Sequence, residues 1–427
     1  MPSDPSEIAH LLRRSGFAAL PAEIDALTGL EWNAAVEAVL DTSAAVDPNQ
    51  GVPNLSEDRG YYERYVDMIW FWLERARTSP APIVEKMVLF WHGHFCSSLE
   101  KTGNHQAMFD QNQLFRTNGL GDFADLTRRV SLQPAMISYL DNDRNVIGSP
   151  NENFARELME LFTMGVGNYS EDDVRESARA WTGHGLDDND HYRFSAEDHD
   201  FSSKSFLGRS GPLDGPDIIN TIMTDRRGAV ARLIATKLWS FLAYPEPEEA
   251  VVSSLVASFQ PTLNIKELLR AIFQHPQFRS TKAKTGLIRS PIEYAVAAMR
   301  HTGLSCSQAN PQWSLREMGQ DPFRPPNVAG WKQNEYWISS SSVWAKSGFA
   351  SGVRWTQFNA GVFTDIAQLE VEQSVDAALA RYGITSPAPT TSAALEQFVL
   401  AERATSRWAE RAGLLMLPLL SPDFQLA

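Results

Sequence analysis

The chain is predicted to fold as a mainly α protein, a multi-helix assembly with long ordered loops and little or no β structure. Three observations predict it. Apolar residues recur at three- and four-residue spacing in several separate stretches, which is the period of one helix face. Helix-start chemistry stands before several of those stretches. Alternating apolar–polar runs are scarce, and Tyr192-Arg193-Phe194 is the one short strand the pattern suggests.

The elements follow in order. Ile8, Leu11, Leu12 and Phe17 give a first helical pattern. Val84, Met87, Val88, Trp91, His94 and Phe95 give a second, with Pro82 placed where a first turn accepts it. Asn151 is a good N-cap for a helix carrying Phe154, Leu158, Leu161 and Phe162 on its apolar face, and Gly165 is a natural stop. Ser170 with Asp173 three residues on resembles a capping box for a helix through Val174, Ala178 and Trp181. The short link 164–169 makes these two helices a hairpin. Residues 229–242, 265–273 and 292–299 repeat the helical period, and 394–420 holds one or two more helices. Residues 183–215 and 319–342 are long loops rich in Gly, Pro, Ser, His and Asp. Their aromatic residues, Phe201, Phe206, Phe323, Trp331, Tyr336 and Trp337 among them, predict ordered segments packed over the core.

A length of 427 residues is two or three lobes at about 100–200 residues each. The breaks fall at 1–79, 80–215, 216–345 and 346–427, read as parts of one compact unit. With 43% hydrophobic and 21% charged residues, neither a disordered nor a fibrous chain fits. The formal charge of −14 argues against a nucleic-acid backbone as partner. The most apolar run, 413–420, contains Pro418 and is far shorter than the ~20 residues of a membrane span. The amino terminus lacks the basic start and apolar stretch of a secretory signal, so a cytoplasmic location is expected of the chain as given. Cys96 and Cys306 cannot build a disulfide framework or an all-cysteine zinc site, and two buried free thiols are expected.

Four segments could carry chemistry. On the 151–162 helix, Asn153, Glu157 and Glu160 share one stripe, and carboxylates three residues apart can grip one cation or share a proton. The alternative is a solvated face in which Arg156 pairs with Glu152 and Glu160. In the second segment His92 and His94 point about 200° apart on a helix, so they cannot face one ion together. A lone histidine on an apolar face is more often a satisfied core residue than a ligand, but His94 is the better ligand candidate of the two because its apolar neighbours make a dry shell. The third is Asp198-His199-Asp200 with Lys204, a composition suited to metal sites and general-base pairs as well as to a hydrated loop. Fourth, Asp141, Asp143, Asn145, Ser149 and Glu152 approach calcium-loop offsets, but Val146 stands where glycine is needed. An Asx-rich turn holding the next helix is expected there instead. No phosphate loop, dinucleotide fingerprint, nucleophile-elbow serine or zinc-protease helix is present.

Several of these motifs, taken together, resemble one bacterial family. They are Leu11-Leu12-Arg13-Arg14-Ser15-Gly16-Phe17, Phe90-Trp91 with His94-Phe95, Tyr139-Leu140-Asp141-Asn142, and the Asn151 to Leu161 segment. Trp181-Thr182-Gly183, His199-Asp200 with Lys204, Gly319 to Phe323 with Gly330-Trp331, and the terminal Ser421-Pro422-Asp423-Phe424 also fit. The chain resembles the family called domain of unknown function 1800. The resemblance implies a largely helical protein. It also implies that many members are exported and encoded beside a sulfatase-like family, which would make such a protein a partner. His184 departs from the tryptophan common in the family after Thr-Gly.

The combined expectation is a metal-dependent enzyme. His94, Glu157, Glu160 and His199 would hold a divalent ion (Fe, Mn or Zn), while Asn153, Arg156, Asp200 and Lys204 orient those ligands and the reacting groups. The loop bearing Trp331 and Trp337 would cover the pocket. Oxidative modification at iron ranks ahead of metal-assisted hydrolysis. A non-catalytic binding or assembly protein and a metal-free acid–base enzyme using Glu157 and Glu160 are the rivals.

Overall fold

The computed structural model describes residues 3–426, and helices account for most of them. The predicted helices form where the periodicity placed them. They include Pro5–Ser15, Pro82–His94, Glu171–Ala180, Arg227–Leu242, Ile265–Gln274 and Pro291–Thr302. The 394–420 region resolves into two helices, Pro389–Arg403, with Pro389 at its first turn, and Arg407–Leu420. Asp4, Asn151, Ser170 and Ser290 each cap a helix through the side chain, giving exposed backbone N–H groups their acceptor.

The helix expected over 151–162 is the one that departs from regularity. Glu157 ends a short α-helix (Glu152–Glu157), and Leu158–Thr163 continue it as a π-helix. The amide of Met164 accordingly reaches back five residues to Met159 O at 3.0 Å. Gly165, with φ +78°, ends the segment as expected. The wider turn shifts side chains after Glu157 away from the 100° spacing assumed from sequence.

Loop 183–215 is not structureless. Tyr192–Phe194 is a strand, as predicted, and pairs antiparallel with His184–Leu186, while Lys204–Phe206 pairs with Arg209–Gly211. The Asx-rich turn also behaves as expected. Asn145 Oδ1 accepts from the Asn151 amide at 2.9 Å, and Asn142 Nδ2 donates to His184 O at 2.6 Å, tying the helix start to the first hairpin.

One continuous set of buried side chains runs from Ile8 to Phe424. Tyr61–Thr78 packs against both Pro82–His94 and Pro291–Thr302, which places these three helices at the centre. Both cysteines are buried free thiols. Among the described residues no helix is long and apolar enough to cross a membrane.

Candidate functional site

The end of the Pro82–His94 helix, the Arg227–Leu242 helix and the start of the Pro291–Thr302 helix enclose a cavity of about 290 Å³. The 319–342 segment closes it, contributing Gln320, Trp331, Gln333, Asn334 and Trp337, so the two tryptophans line the pocket as their loop position suggested. Gly330 makes the closure possible. At φ +79° a Cβ would lie 2.5 Å from Gly93 O, so only a residue without one brings this loop onto the helix end.

His94 stands in the cavity wall, nine-tenths or more buried among Phe90, Trp91, Phe95 and Phe162. Its Nε2 lies 3.0 Å from Phe162 O, and a carbonyl can only accept, so Nε2 carries the proton. Nδ1 therefore presents its lone pair, and Lys237 Nζ donates to it at 3.3 Å. Lys237 also donates to Leu161 O at 2.8 Å. Both carbonyls belong to the last turn of the π-helix, where main-chain acceptors are left without helical partners and where the dipole favours a cation. An ammonium has three donors, so one remains for whatever fills the cavity. Burial pushes the Lys237 ammonium down to about 8. Burial first, and the Lys237 charge second, hold His94 well below the usual imidazole range, so it is neutral at pH 7.

Opposite them, Glu293 uses both carboxylate oxygens. Oε2 accepts from the Ser290 amide at 2.9 Å in a capping box, and Oε1 accepts from the buried Lys86 ammonium. Burial alone would raise its pKa, but Lys86 and the Ser290 groups outweigh that and leave it lowered, hence ionised.

The residues expected as metal ligands do not meet. Among the described residues no three His, Cys, Asp or Glu side chains come together to hold an ion. His94 has both ring nitrogens engaged. His199 donates from Nδ1 to Thr182 O at 2.7 Å and packs against Phe194 and Phe201 in the hairpin region. Glu160 accepts from Tyr169 Oη at 3.0 Å. Glu157 is half-buried, with its pKa raised by burial and then by the Glu160 charge, so the two carboxylates do sense each other.

The residues expected to orient them are engaged locally. Asn153 Nδ2 reaches Asp141 Oδ2 at 3.5 Å. Arg156 pairs with Glu152 at 3.0 Å, as the solvated-face alternative had it, but its second partner is Glu171 at 2.8 Å rather than Glu160. Asp200 accepts from Arg179 Nε at 2.8 Å, and buried Lys204 donates to the carbonyls of Asp200 and Ser202. These contacts clamp the helical hairpin to the strand hairpins.

The carboxylate helix thus reaches the cavity through its main chain, not through its acids. Lys237 was not singled out by sequence reasoning. The signal was present: it falls three residues after Ile234 and four before Phe241, a lone cation on an otherwise apolar stripe.

A family model described as a protein of unknown function, DUF1800, matches residues 10–426, so the chain belongs to that family. No curated protein and no solved structure matches it.

Proposed function

We propose that this family member binds a small molecule in the cavity beneath Trp331 and Trp337 and acts on it by proton transfer, with Lys237 as the acting group. One observation carries the reading. The Lys237 amine is held between Leu161 O and His94 Nδ1 in the wall of an aromatic-lined cavity, with a third donor left over. A neutral imidazole behind the ammonium fixes its position without competing for the proton, because His94 titrates far below Lys237. We rank this reading ahead of the metal-dependent expectation, because Glu160 and His199 hydrogen-bond to Tyr169 and Thr182.

Crystals of the full chain soaked with small fragments test the binding half. Density within hydrogen-bond reach of Lys237 Nζ is expected, and fragments confined to other surfaces would defeat it. Nitrogen-15 NMR of the lysines tests the chemistry half. A Lys237 midpoint near 8 supports proton transfer, whereas a midpoint near the ordinary lysine value of ~10.4 would leave binding alone.

A further inference from the structure

Cations crowd the far side of the cavity wall. Lys86 is 1% exposed and lies 5.4 Å over Phe241, which lines the cavity. Lys346, 3% exposed, donates to the carbonyl of Trp337, another lining residue, and to Gln425 Oε1 at 2.6 Å. Arg289 is 3% exposed, adjoins the lining residues Ile288 and Ser290, and spends its charge on Phe424 O at 2.8 Å and the Phe424 ring. Arg14 is 1% exposed and donates to Ala283 O at 2.6 Å, and its Nε and Nη1 have no partner.

Against these stands Glu293. Among the described residues it is the one carboxylate that acts on Lys86, Arg14 and Arg289, and its own hydrogen-bond pair is Lys86. Behind the wall three buried cations, Lys86, Lys346 and Arg289, stand against this one buried carboxylate, and Lys237 in the wall adds a further positive charge. This stands in a chain whose formal charge is −14. Isolated charges in a low-dielectric interior are costly, and their field is weakly screened there. An occupant of opposite sign relieves that cost, whereas a neutral one does not.

We propose that the occupant of this cavity is a small organic anion, its charged end on Lys237 and its apolar body against the aromatic wall formed by Phe90, Phe241, Trp331 and Trp337. The inference rests on the cavity being the binding site and adds the sign of the ligand. Glu293 does not contradict it, because its charge is balanced by the buried Lys86 ammonium paired with it.

Isothermal titration of the full chain with benzoate, phenyl phosphate and the neutral isostere benzamide tests the inference. At least one anion is expected to bind about tenfold or more tighter than benzamide, with affinity falling as NaCl rises from about 50 to about 500 mM. The stronger of the two anions identifies a carboxylate or a phosphate end. Lys237→Met should erase the preference, and Lys237→Arg should keep it, so misfolding of one variant does not hide the result. Benzamide binding as tightly as both anions overturns the charge assignment while leaving the cavity reading intact. Failure of all three compounds to bind overturns both.

Discussion

Lys237 Nζ donates to His94 Nδ1 at 3.3 Å across 143 residues of sequence, joining the Arg227–Leu242 helix to the end of the Pro82–His94 helix. The contact uses the lone pair that the Phe162 carbonyl leaves on Nδ1, and it turns an apparent core histidine into the positioning partner of a buried amine. The titratable groups that face Lys237 are His94 and Cys96. The first is held neutral well below its usual range, and burial pushes the second up to about 12, so both are uncharged at pH 8.

Ligand binding at the cavity should therefore follow Lys237 in the wall together with Lys346 behind it, which burial also pushes down to about 8. As pH rises through about 8, Lys237 loses its charge and anion affinity should fall. Titrations with benzoate or phenyl phosphate between about pH 6.5 and pH 9.5 measure this, and a flat profile would contradict it.

Stability should respond to acid in the opposite sense. His92 and His301 are pushed down to about 3 and His184 to about 4, by burial first in each case, while His10 and His94 fall well below the usual range. The unfolded chain thus binds more protons than the folded one below about pH 6.5, and stability is lost as pH falls through that value. A melting temperature that declines between pH 7 and pH 5 is expected, and one that stays level would rule the account out.

The buried pair Arg116–Glu85, with the guanidinium at 2.6 Å and 2.8 Å from the carboxylate oxygens, should be costly to break on one side. Glu85→Ala leaves Arg116 charged and dry, and a loss of about 3–5 kcal/mol is expected in urea unfolding. Pairing it with Arg116→Met should recover much of that loss, because no uncompensated charge remains.

Gly330→Ala should loosen the cavity cover. The substitution forces a side chain into a left-handed backbone and against Gly93 O, a cost of about 1–3 kcal/mol. Hydrogen exchange is expected to quicken over residues 327–337 more than in the helices, and unchanged protection there would refute the closure argument.

Purified protein is expected to melt at the same temperature with and without EDTA, since His94, Glu160 and His199 are bonded to other groups and the four expected ligands do not gather. A chelator-induced drop reversed by zinc, manganese or iron would restore the metal reading.

The helices that periodicity marked, the caps at Asn151 and Ser170 and the strand at Tyr192–Phe194 were legible in the sequence, because each depends on neighbours within about four residues. So were the free thiols and the Asx turn before Asn151, which depend on composition and local geometry. The central Tyr61–Thr78 helix was not read. The π-helix was not legible; Leu158–Thr163 packs against the Arg227–Leu242 helix, a contact that lies outside the local pattern. Nor was the site. A helix period tells which residues share a face but not which faces meet. Packing turned His94 toward Lys237 and Phe162 O, left His199 among the hairpin aromatics, and gathered Arg14, Lys86 and Arg289 around one glutamate. Local chemistry chose the elements; the way their apolar faces had to close on one core chose which charges came to lie together.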